Sequence, residues 1–307
     1  MNLLVATDFS DNSKAALRWG GFLANQLGSD LTVIHVVDLA AGDNAWRVLV
    51  ETPEEIERSA VIEAQEKLER FCEETLDDMP DAINYRAVLG NPIDELLDEA
   101  DKVDDPIILA GARGESRLRE FFLGNTARRL VRQSEYPVIL VPPEAEVAKP
   151  QKLVVGVDFS DPSKEAIRRA AVMARTYEAS VHLVYGYVLP EVATFEGSMA
   201  TVSSDYDDLI EDKRKSLEKV VVELGADDVV TEVTALHQPP AAAIVGTAED
   251  EGGQFIFVGS HGRRGVKRFF LGNTAERVMR NAPCPIFVVR PGQLDGNRQQ
   301  KIDESDE

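Results

Sequence analysis

Short apolar runs alternate with longer amphipathic segments through the first half of the chain. The apolar runs cover 2–7, 31–37, 84–89, 106–110 and 137–141. Between them, apolar residues recur at helical spacing over 12–28, 54–77, 92–102 and 125–134. Apolar strands that alternate with helices are typical of a parallel sheet covered on both faces. The pattern therefore predicts buried strands with helices packed above and below them.

The second half of the chain repeats the first. The segment LLVATDFSDNSK at 3–14 recurs as LVVGVDFSDPSK at 153–164, and PVILVPP at 137–143 recurs as PIFVVRP at 285–291. A repeat of about 140 residues has the size of a domain and is too long for a solenoid unit. We therefore predict two tandem domains of one fold.

The limits of these domains follow from the repeat. We expect a first domain over 1–143, a linker over 144–151, a second domain over 152–291 and a disordered acidic tail over 292–307. Right-handed crossovers between parallel strands make each domain doubly wound. The predicted fold class is α/β, with two tandem doubly wound domains, each a five-stranded parallel sheet of strand order 3-2-1-4-5 with helices on both faces. The loops predicted over 38–53 and 187–206 differ between the repeats, which suggests different ligand access or partners.

The net charge of the chain limits the kinds of molecule that it could bind. The chain holds 54 acidic against 33 basic residues, a formal net charge of −21, and arginine outnumbers lysine. Self-repulsion at this level destabilises a compact chain unless salt screens it, and the screening length falls to about 3 Å at 1 M salt. We therefore expect an acidic surface adapted to a salt-rich cytoplasm, as in a halophilic archaeon, and no binding to nucleic acid.

The chain shows no segment typical of export or membrane insertion. No apolar run approaches the roughly 20 residues of a membrane span, and the N-terminal segment lacks the basic start of a secretory signal. Cys72 and Cys284 stand at unrelated positions in the two repeats. Buried free thiols in a reducing compartment are the simplest interpretation. We therefore expect a cytoplasmic protein without a membrane span.

Two glycine clusters share the spacing G-x2-G-x9-G, and each lies between an apolar run and a helical segment. The first comprises Gly111, Gly114 and Gly124, followed by Asn125 and Thr126. The second comprises Gly259, Gly262 and Gly272, followed by Asn273 and Thr274. Glycines between a strand and a helix let backbone N–H groups approach a phosphate closely. The spacing therefore indicates a phosphate site in each domain.

One aspartate follows the first strand of each repeat, Asp8 in the first and Asp158 in the second. In a sheet of order 3-2-1-4-5, strands one and four flank the point where the order reverses, and ligands bind beyond their carboxyl ends. Each aspartate should therefore face a glycine cluster across one crevice. A carboxylate at this place suits the hydroxyls of a ribose.

Basic residues gather beside both glycine clusters. Six arginines against two glutamates lie within 113–132, and six cations against one glutamate lie within 263–280. Basic islands in so acidic a chain favour a polyphosphate ligand. Simpler interpretations stay open: the aspartates, or Ser10 and Ser160, cap the following helices, the glycines serve turn geometry, and the arginines pair with acids.

Patterns typical of catalysis or metal binding are weak. His261 lies within the second glycine cluster, but its counterpart in the first is Arg113. No histidine and carboxylate residues show the spacing of a metal site. Ser10 and Ser160 have no neighbouring base that would make either a nucleophile. We therefore predict no catalytic residue and no dedicated metal site.

On these motifs the chain resembles the universal stress protein family in its tandem two-domain, ATP-binding form. The resemblance rests on both glycine clusters, on Gly-Ser-His-Gly-Arg-Arg-Gly at 259–265 and on Thr-Asp-Phe-Ser at 7–10. It implies ATP or AMP in the crevice, with Mg²⁺ or Mn²⁺ carried on the phosphates and no protein cage around the metal. It also implies domains that pair through their last strands, within the chain or in a homodimer.

The resemblance also implies a role for each candidate residue. Asp8 and Asp158 would contact the ribose, the backbone of Val36 and Gly186 the adenine edge, and Gly111 and Gly259 would lie near the ribose. The phosphates would be held by Gly114, Gly124, Asn125, Thr126, Gly262, Gly272, Asn273 and Thr274. The family usually has serine or threonine where Asn125 and Asn273 stand, and a valine-like residue where Gly186 stands. We therefore expect the two sites to differ in affinity.

Three functions are compatible with this sequence. The leading one is a cytoplasmic stress-response regulator that binds adenine nucleotide without strong catalytic activity. A slow ATPase is the second, although it would need a positioned base and a firm metal site. A scaffold without any ligand is the third.

Overall fold

The first half of the chain forms nine elements. The computed structural model describes residues 2–39, 52–113, 123–188, 199–262 and 271–290, with backbone only over 199–208. The elements are β1 (Asn2–Ala6), α1 (Asp11–Leu27), β2 (Asp30–Val37), α2 (Pro53–Thr75), β3 (Ile83–Leu89), α3 (Pro92–Ala100), β4 (Pro106–Gly111), α4 (Asn125–Gln133) and β5 (Val138–Val141). Each strand and helix predicted for this half is present, with ends that differ by at most two residues.

The second half forms the same nine elements in the same order. They are β6 (Lys152–Gly156), α5 (Asp161–Tyr177), β7 (Ser180–Gly186), α6 (Met199–Glu223), β8 (Val230–Leu236), α7 (Pro240–Asp250), β9 (Phe255–Gly259), α8 (Asn273–Asn281) and β10 (Ile286–Val289). The loop predicted over 187–206 is too long, because α6 already begins at Met199. The acidic tail over 292–307 and most of the loop over 38–53 lie outside the described residues.

The ten strands form one sheet of order β3-β2-β1-β4-β5-β10-β9-β6-β7-β8. Within each half the strands are parallel and follow the predicted order 3-2-1-4-5. The halves join where β5 and β10 pair antiparallel, with Ile139 opposite Phe287. The predicted fold class is therefore confirmed, and the two halves are paired through their last strands. Because the seam is antiparallel, the carboxyl ends of the two sets of strands point to opposite edges of the sheet.

Helices cover both faces of this sheet. Helices α1, α2, α5 and α6 cover one face through buried residues such as Leu17 and Leu217. Helices α3, α4, α7 and α8 cover the other through residues such as Leu130 and Ile244. Each hydrophobic cluster runs through both halves, so the core does not stop at the seam.

Aromatic rings connect the two halves on the face of α1 and α5. Trp19 of α1 is 1% exposed and packs edge-on against Phe255 of β9, with 5.4 Å between ring centroids. Phe22 stacks on Tyr177 of α5 at 6.3 Å. Such contacts add to the apolar area that the pairing of the halves buries. Among the described helices, none is long and apolar enough to cross a membrane.

Candidate functional site

A pocket opens at the carboxyl ends of β1 and β4, where the strand order of the first half reverses. It contains about 820 Å³ of unfilled space, part of it open solvent. Six predicted site residues line it together: Asp8, Val36, Gly111, Gly124, Asn125 and Thr126. The seventh candidate of this half, Gly114, lies outside the described residues. An aspartate and a glycine turn therefore meet in one crevice, as the strand order requires.

A strained turn sets the position of Asp8. Phe9 has a φ of 63°, in the left-handed region that costs a bulky residue about 1–3 kcal/mol. Oδ1 of Asp8 accepts hydrogen bonds from the Ser10 amide at 3.0 Å and from the Ser10 hydroxyl at 2.5 Å. Ser10 is the residue that caps α1, because its hydroxyl accepts from the Ser13 amide. Asp8 itself is exposed at the mouth of the pocket, so the capping role falls to the serine.

The second half repeats this turn. Phe159 has a φ of 65°, and Oδ1 of Asp158 accepts from the Ser160 amide at 3.0 Å. Ser160 caps α5 through the Ser163 amide. Two turns of the same strained geometry place an aspartate beyond the first strand of each half.

Helix α4 begins at the pocket without a side-chain cap. Its N-cap is Gly124, whose amide donates to the Ala112 carbonyl at 2.9 Å and so closes the glycine turn. As a glycine, Gly124 offers no side-chain acceptor to the first turn, which begins with Asn125 and Thr126. Uncapped N–H groups at a helix start, together with the helix dipole, favour an anion. Helix α8 begins at Gly272 in the same way.

The glycines that end β4 and β9 have a packing role of their own. A Cβ on Gly111 would come within 2.9 Å of the Asn12 carbonyl oxygen, and a Cβ on Gly259 within 2.7 Å of the Pro162 side chain. These strand ends lie directly against the starts of α1 and α5. Close approach of backbone therefore explains both glycines whether or not a ligand binds.

The inner wall of the first pocket is apolar and includes residues that sequence reasoning missed. They are Pro92 and Leu96 from α3, Ala110 from β4, and Ala127 and Leu130 from α4. The only signal for them was their place on helices and strands that face the same crevice. An apolar slot beside a helix start that favours an anion suits a ligand with a flat ring and a charged end.

His35 and Arg113 are two further polar residues of the first pocket. Nδ1 of His35 lies 2.8 Å from the Thr7 carbonyl oxygen, a contact that suits a ring N–H donor. Burial lowers the pKa of His35, so the ring is neutral near pH 7. Arg113 is paired with Glu144, with 2.7 Å between Nη1 and Oε1.

The acid and the glycine turn also meet in the second half. A Cβ on Gly262 would overlap with Oδ2 of Asp158, so the carboxylate lies directly against the backbone of the turn. Gly259 ends β9, and Gly272 lies against the backbone of His261 in the same turn. Helix α8 then begins with Asn273 and Thr274. His261 lies here too, with Nδ1 at 3.0 Å from Oγ of Ser260. Burial and the nearby Arg290 lower the pKa of His261.

The second crevice differs from the first at the ends of its first two strands, β6 and β7. Gly186 is buried, whereas its counterpart Val36 is only half-buried. A Cβ on Gly186 would come within 2.5 Å of the Cα of Pro240, at the start of α7. A Cβ on Gly156, at the end of β6, would overlap with Cδ1 of Ile244. Helix α7 therefore lies directly on the two strands that would form the floor of this site.

A cluster of titratable groups lies away from both crevices, at the other ends of β6 and β7. Nδ1 of the buried His182 is 2.9 Å from Oε1 of Glu251 and 3.8 Å from Oε2 of Glu232. Lys152 contacts Glu251 at 3.0 Å, and Nε2 of His182 lies 2.8 Å from the Thr234 hydroxyl. The lysine already balances the charge of Glu251. We interpret the group as an ion-pair network that joins the ends of three strands to α7.

Half of the basic residues near the glycine clusters lie outside the described residues. Segments 114–122 and 263–270 contain six of the twelve arginines and lysines that favoured a polyphosphate. Within the described part, Arg128 contacts Asn125 at 3.3 Å beside the start of α4.

The architecture defines a class of protein, a tandem pair of doubly wound α/β units with a crevice at each reversal of strand order. The sequence profile of the Universal stress protein family matches residues 1–142 and again 150–290, so the chain belongs to this family.

Some relatives match nearly the whole chain, and others match one half of it. A universal stress protein of Mycolicibacterium smegmatis is 28% identical over 298 residues, which cover 94% of this chain and 97% of that protein. The universal stress protein MJ0531 of Methanocaldococcus jannaschii is 34% identical over 145 residues, 46% of this chain and 82% of that protein. The crystal structure of a universal stress protein from Archaeoglobus fulgidus has the same fold, with a TM-score of 0.61, 22% identity, and coverage of 95% of this chain and 98% of that one.

Proposed function

We propose that this protein binds an adenine nucleotide in the crevice of its first half and acts as a stress-response regulator rather than as an efficient enzyme. One observation carries the proposal: an apolar slot, an uncapped helix start and an exposed aspartate line the same pocket. These three surfaces correspond to the base, the phosphates and the ribose of a nucleotide.

The proposed roles follow the geometry of the pocket. Asp8 would accept hydrogen bonds from ribose hydroxyls through the carboxylate that Ser10 orients. The backbone of Val36 would meet the adenine edge. The phosphates would accept from the amides at Gly124, Asn125 and Thr126, with Gly114 in the adjoining turn. Whether ATP or AMP is preferred depends on how many phosphates this turn holds, and Mg²⁺ or Mn²⁺ would be carried by the phosphates themselves.

Slow ATP hydrolysis is the second candidate activity. Hydrolysis needs a group that orients water against the γ-phosphate. Among the described residues of the pocket, the charged side chains are Asp8 and Arg113, and His35 is directed at the Thr7 carbonyl. We therefore propose regulation by binding, in which nucleotide shifts the protein between conformations that bind it with different affinity.

Calorimetric titration with ATP and with AMP tests the proposal. We expect the natural chain to bind, and Asp8→Asn to weaken binding because the ribose loses a charged acceptor at unchanged side-chain size. Asp11→Asn is the matched control, since Asp11 is an exposed carboxylate in the same turn region. No heat with either nucleotide, or equal affinity for the natural chain and Asp8→Asn, would contradict the proposed site.

The acidic composition supports a proposal about the working environment. The chain has 54 acidic and 33 basic residues. Concentrated salt should therefore stabilise the folded chain, because it screens the repulsion between like charges. We propose a cytoplasm with high salt. A melting temperature that rises from salt-free buffer to molar KCl would support this, and a melting temperature independent of salt would contradict it.

A further inference from the structure

We propose that His182, Glu232 and Glu251 form a binding site for a divalent transition-metal ion such as Zn²⁺. The site is separate from both crevices, and the inference does not depend on the proposed function. Without metal, the three residues form the ion-pair network described above. A metal ion would take the place of a proton on the ring of His182.

The register of the sheet brings the three ligand atoms together. His182 of β7 lies opposite Glu232 of β8, and Glu251 is the residue that caps the C-terminal end of α7. One ligand atom from each residue lies within 4.8 Å of the other two. Nδ1 of His182 is 2.9 Å from Oε1 of Glu251 and 3.8 Å from Oε2 of Glu232. Two ligands of a tetrahedral Zn²⁺ stand about 3.3 Å apart, so small side-chain movements complete the arrangement.

The buried ring nitrogen of His182 is the strongest sign of a missing ligand. His182 is 3% exposed, and its Nδ1 has no hydrogen-bond partner among the described residues. Oε1 of Glu251 is close enough, but it lies off the axis on which a ring N–H would donate. Ligands of one metal ion have this relation, because each is directed at the ion and not at its neighbour.

The contacts around the ligands suit a metal site. Nε2 of His182 lies 2.8 Å from the Thr234 hydroxyl. When Nε2 carries the proton and donates to this hydroxyl, the lone pair of the ring stands on Nδ1. Lys152 contacts Oε2 of Glu251 at 3.0 Å and leaves Oε1 for the ion. Outer contacts of this kind fix the orientation of metal ligands.

Charge and access favour a cation here. Lys152 balances Glu251, whereas among the described residues the 3.8 Å contact with His182 is the only ion pair of Glu232. The side chain of Glu232 is 56% exposed, so an ion can enter from solvent and retain water as a further ligand. One imidazole nitrogen with two carboxylates suits Zn²⁺ and similar ions, whereas Mg²⁺ and Ca²⁺ prefer oxygen ligands alone.

The ligand set belongs to the second half alone. Thr32 of β2 and Asn84 of β3 stand where His182 and Glu232 stand in the repeat. The first half therefore offers neither the imidazole nor the strand carboxylate. In the second half, the ion would connect the end of α7 to β7 and β8.

Titration of the metal-free and nucleotide-free chain with ZnCl₂ tests this inference. Molar KCl in the buffer screens diffuse binding to the acidic surface. We expect one ion per chain, bound at least about tenfold more weakly by Glu232→Gln and by His182→Gln. Glu249→Gln is the matched control, because Glu249 is an exposed carboxylate two residues before Glu251, and it should leave the affinity unchanged. MgCl₂ should bind at least about tenfold more weakly than ZnCl₂.

The melting temperature supplies a second readout, since Zn²⁺ should stabilise the natural chain more than Glu232→Gln. Glu232 is exposed, so Glu232→Gln keeps the test valid even if the buried change His182→Gln prevents folding. Equal Zn²⁺ affinity in the natural chain and Glu232→Gln would mean that zinc binds elsewhere and would overturn the site. Absence of Zn²⁺ binding, or an equal loss in Glu249→Gln, would overturn it as well.

Discussion

Arg290, which follows the last strand of the second half, donates from Nη2 to the carbonyl oxygen of Val131 in the first half at 2.8 Å. The same nitrogen contacts the carbonyl of Arg132. Both carbonyls belong to the last turn of α4, where a basic group is favoured by unpaired carbonyls and by the helix dipole. The second half therefore holds the C-terminal end of the helix whose N-terminal end lines the first pocket. The position equivalent to Arg290 in the first half is Pro142, so this contact has no counterpart across the seam.

Arg290→Met tests this contact, because methionine keeps a long side chain and removes every donor. We expect the free energy of unfolding to fall by about 1–2 kcal/mol, since two carbonyls lose a charged donor. Chemical denaturation of both variants at high salt measures the difference. If the proposed first site is right, nucleotide affinity should also fall, because α4 loses its support. Equal stability of the natural chain and Arg290→Met would contradict the role of this arginine.

Gly186→Ala tests the close approach of α7 to β7. A Cβ there would come within 2.5 Å of the Pro240 Cα, which is backbone and has little room to move. We expect a loss of about 1–3 kcal/mol in the free energy of unfolding. Gly246→Ala is the matched control within α7, because no atom lies within 4 Å of its added Cβ, and alanine should stabilise the helix by up to about 1 kcal/mol. Opposite signs for the two variants are the expected result, and a neutral Gly186→Ala would argue against the packing.

The lowered pKa of Glu99 predicts that this residue stabilises the folded chain in a pH-dependent way. Burial alone would raise the pKa of Glu99, but hydrogen bonds from Lys102 at 2.7 Å and Arg86 at 3.1 Å outweigh it and hold the pKa below its usual value. The stabilisation is therefore present above the unfolded-state pKa and is lost as pH falls through the lower native value. Because both cations are largely exposed, Glu99→Gln should cost only about 1 kcal/mol at pH 7.

Unfolding curves from pH 7 down to the acid limit of the native state measure this effect. The difference in the free energy of unfolding between the natural chain and Glu99→Gln should become smaller as pH decreases. Asp98→Asn, at an exposed position of the same helix, is the control and should show little difference at any pH. A difference that grew toward acid would have the wrong sign for a lowered pKa.

The two cysteines should be inert in the native chain. Burial raises the pKa of Cys72 to about 12, with help from the charges of Glu69 and Glu73, and burial raises the pKa of Cys284 to about 12. Almost none of either thiol is then the reactive thiolate at pH 8, and both side chains are buried. A thiol reagent should therefore label the chain only after unfolding. Rapid labelling of the folded chain would show that one of the thiols is exposed.

Most of the fold could be predicted from the sequence because its cause is local. The apolar run at 106–110 has the length of a strand, the glycines after it end that strand, and Ser10 and Ser160 mark the starts of the helices they cap. The repeat then predicted the same order of elements in both halves, since similar sequences fold alike. The meeting of Asp8 with Gly111 and Gly124 followed from strand order alone, and the structure places all three at one pocket.

The differences between the two crevices could not be predicted, because they depend on how far a helix stands from a sheet. The sequence showed only that Gly186 stands where the family has a valine-like residue, whereas the structure shows that Pro240 and Ala243 of α7 pack against the place of the missing side chain. The cluster of His182, Glu232 and Glu251 was missed for the same reason. Its members are distant in sequence and meet only through the register of β7 with β8 and the end of α7. The left-handed conformation of Phe9 and Phe159 has no signature in residue type either.

The antiparallel seam between β5 and β10 has an evolutionary consequence. Two identical chains paired in this way would share every substitution, so a change that closed one cleft would close both and abolish binding. Fusion of the two copies removes that constraint, because each half can now change alone. It also makes their association independent of dilution, since the partner is always attached.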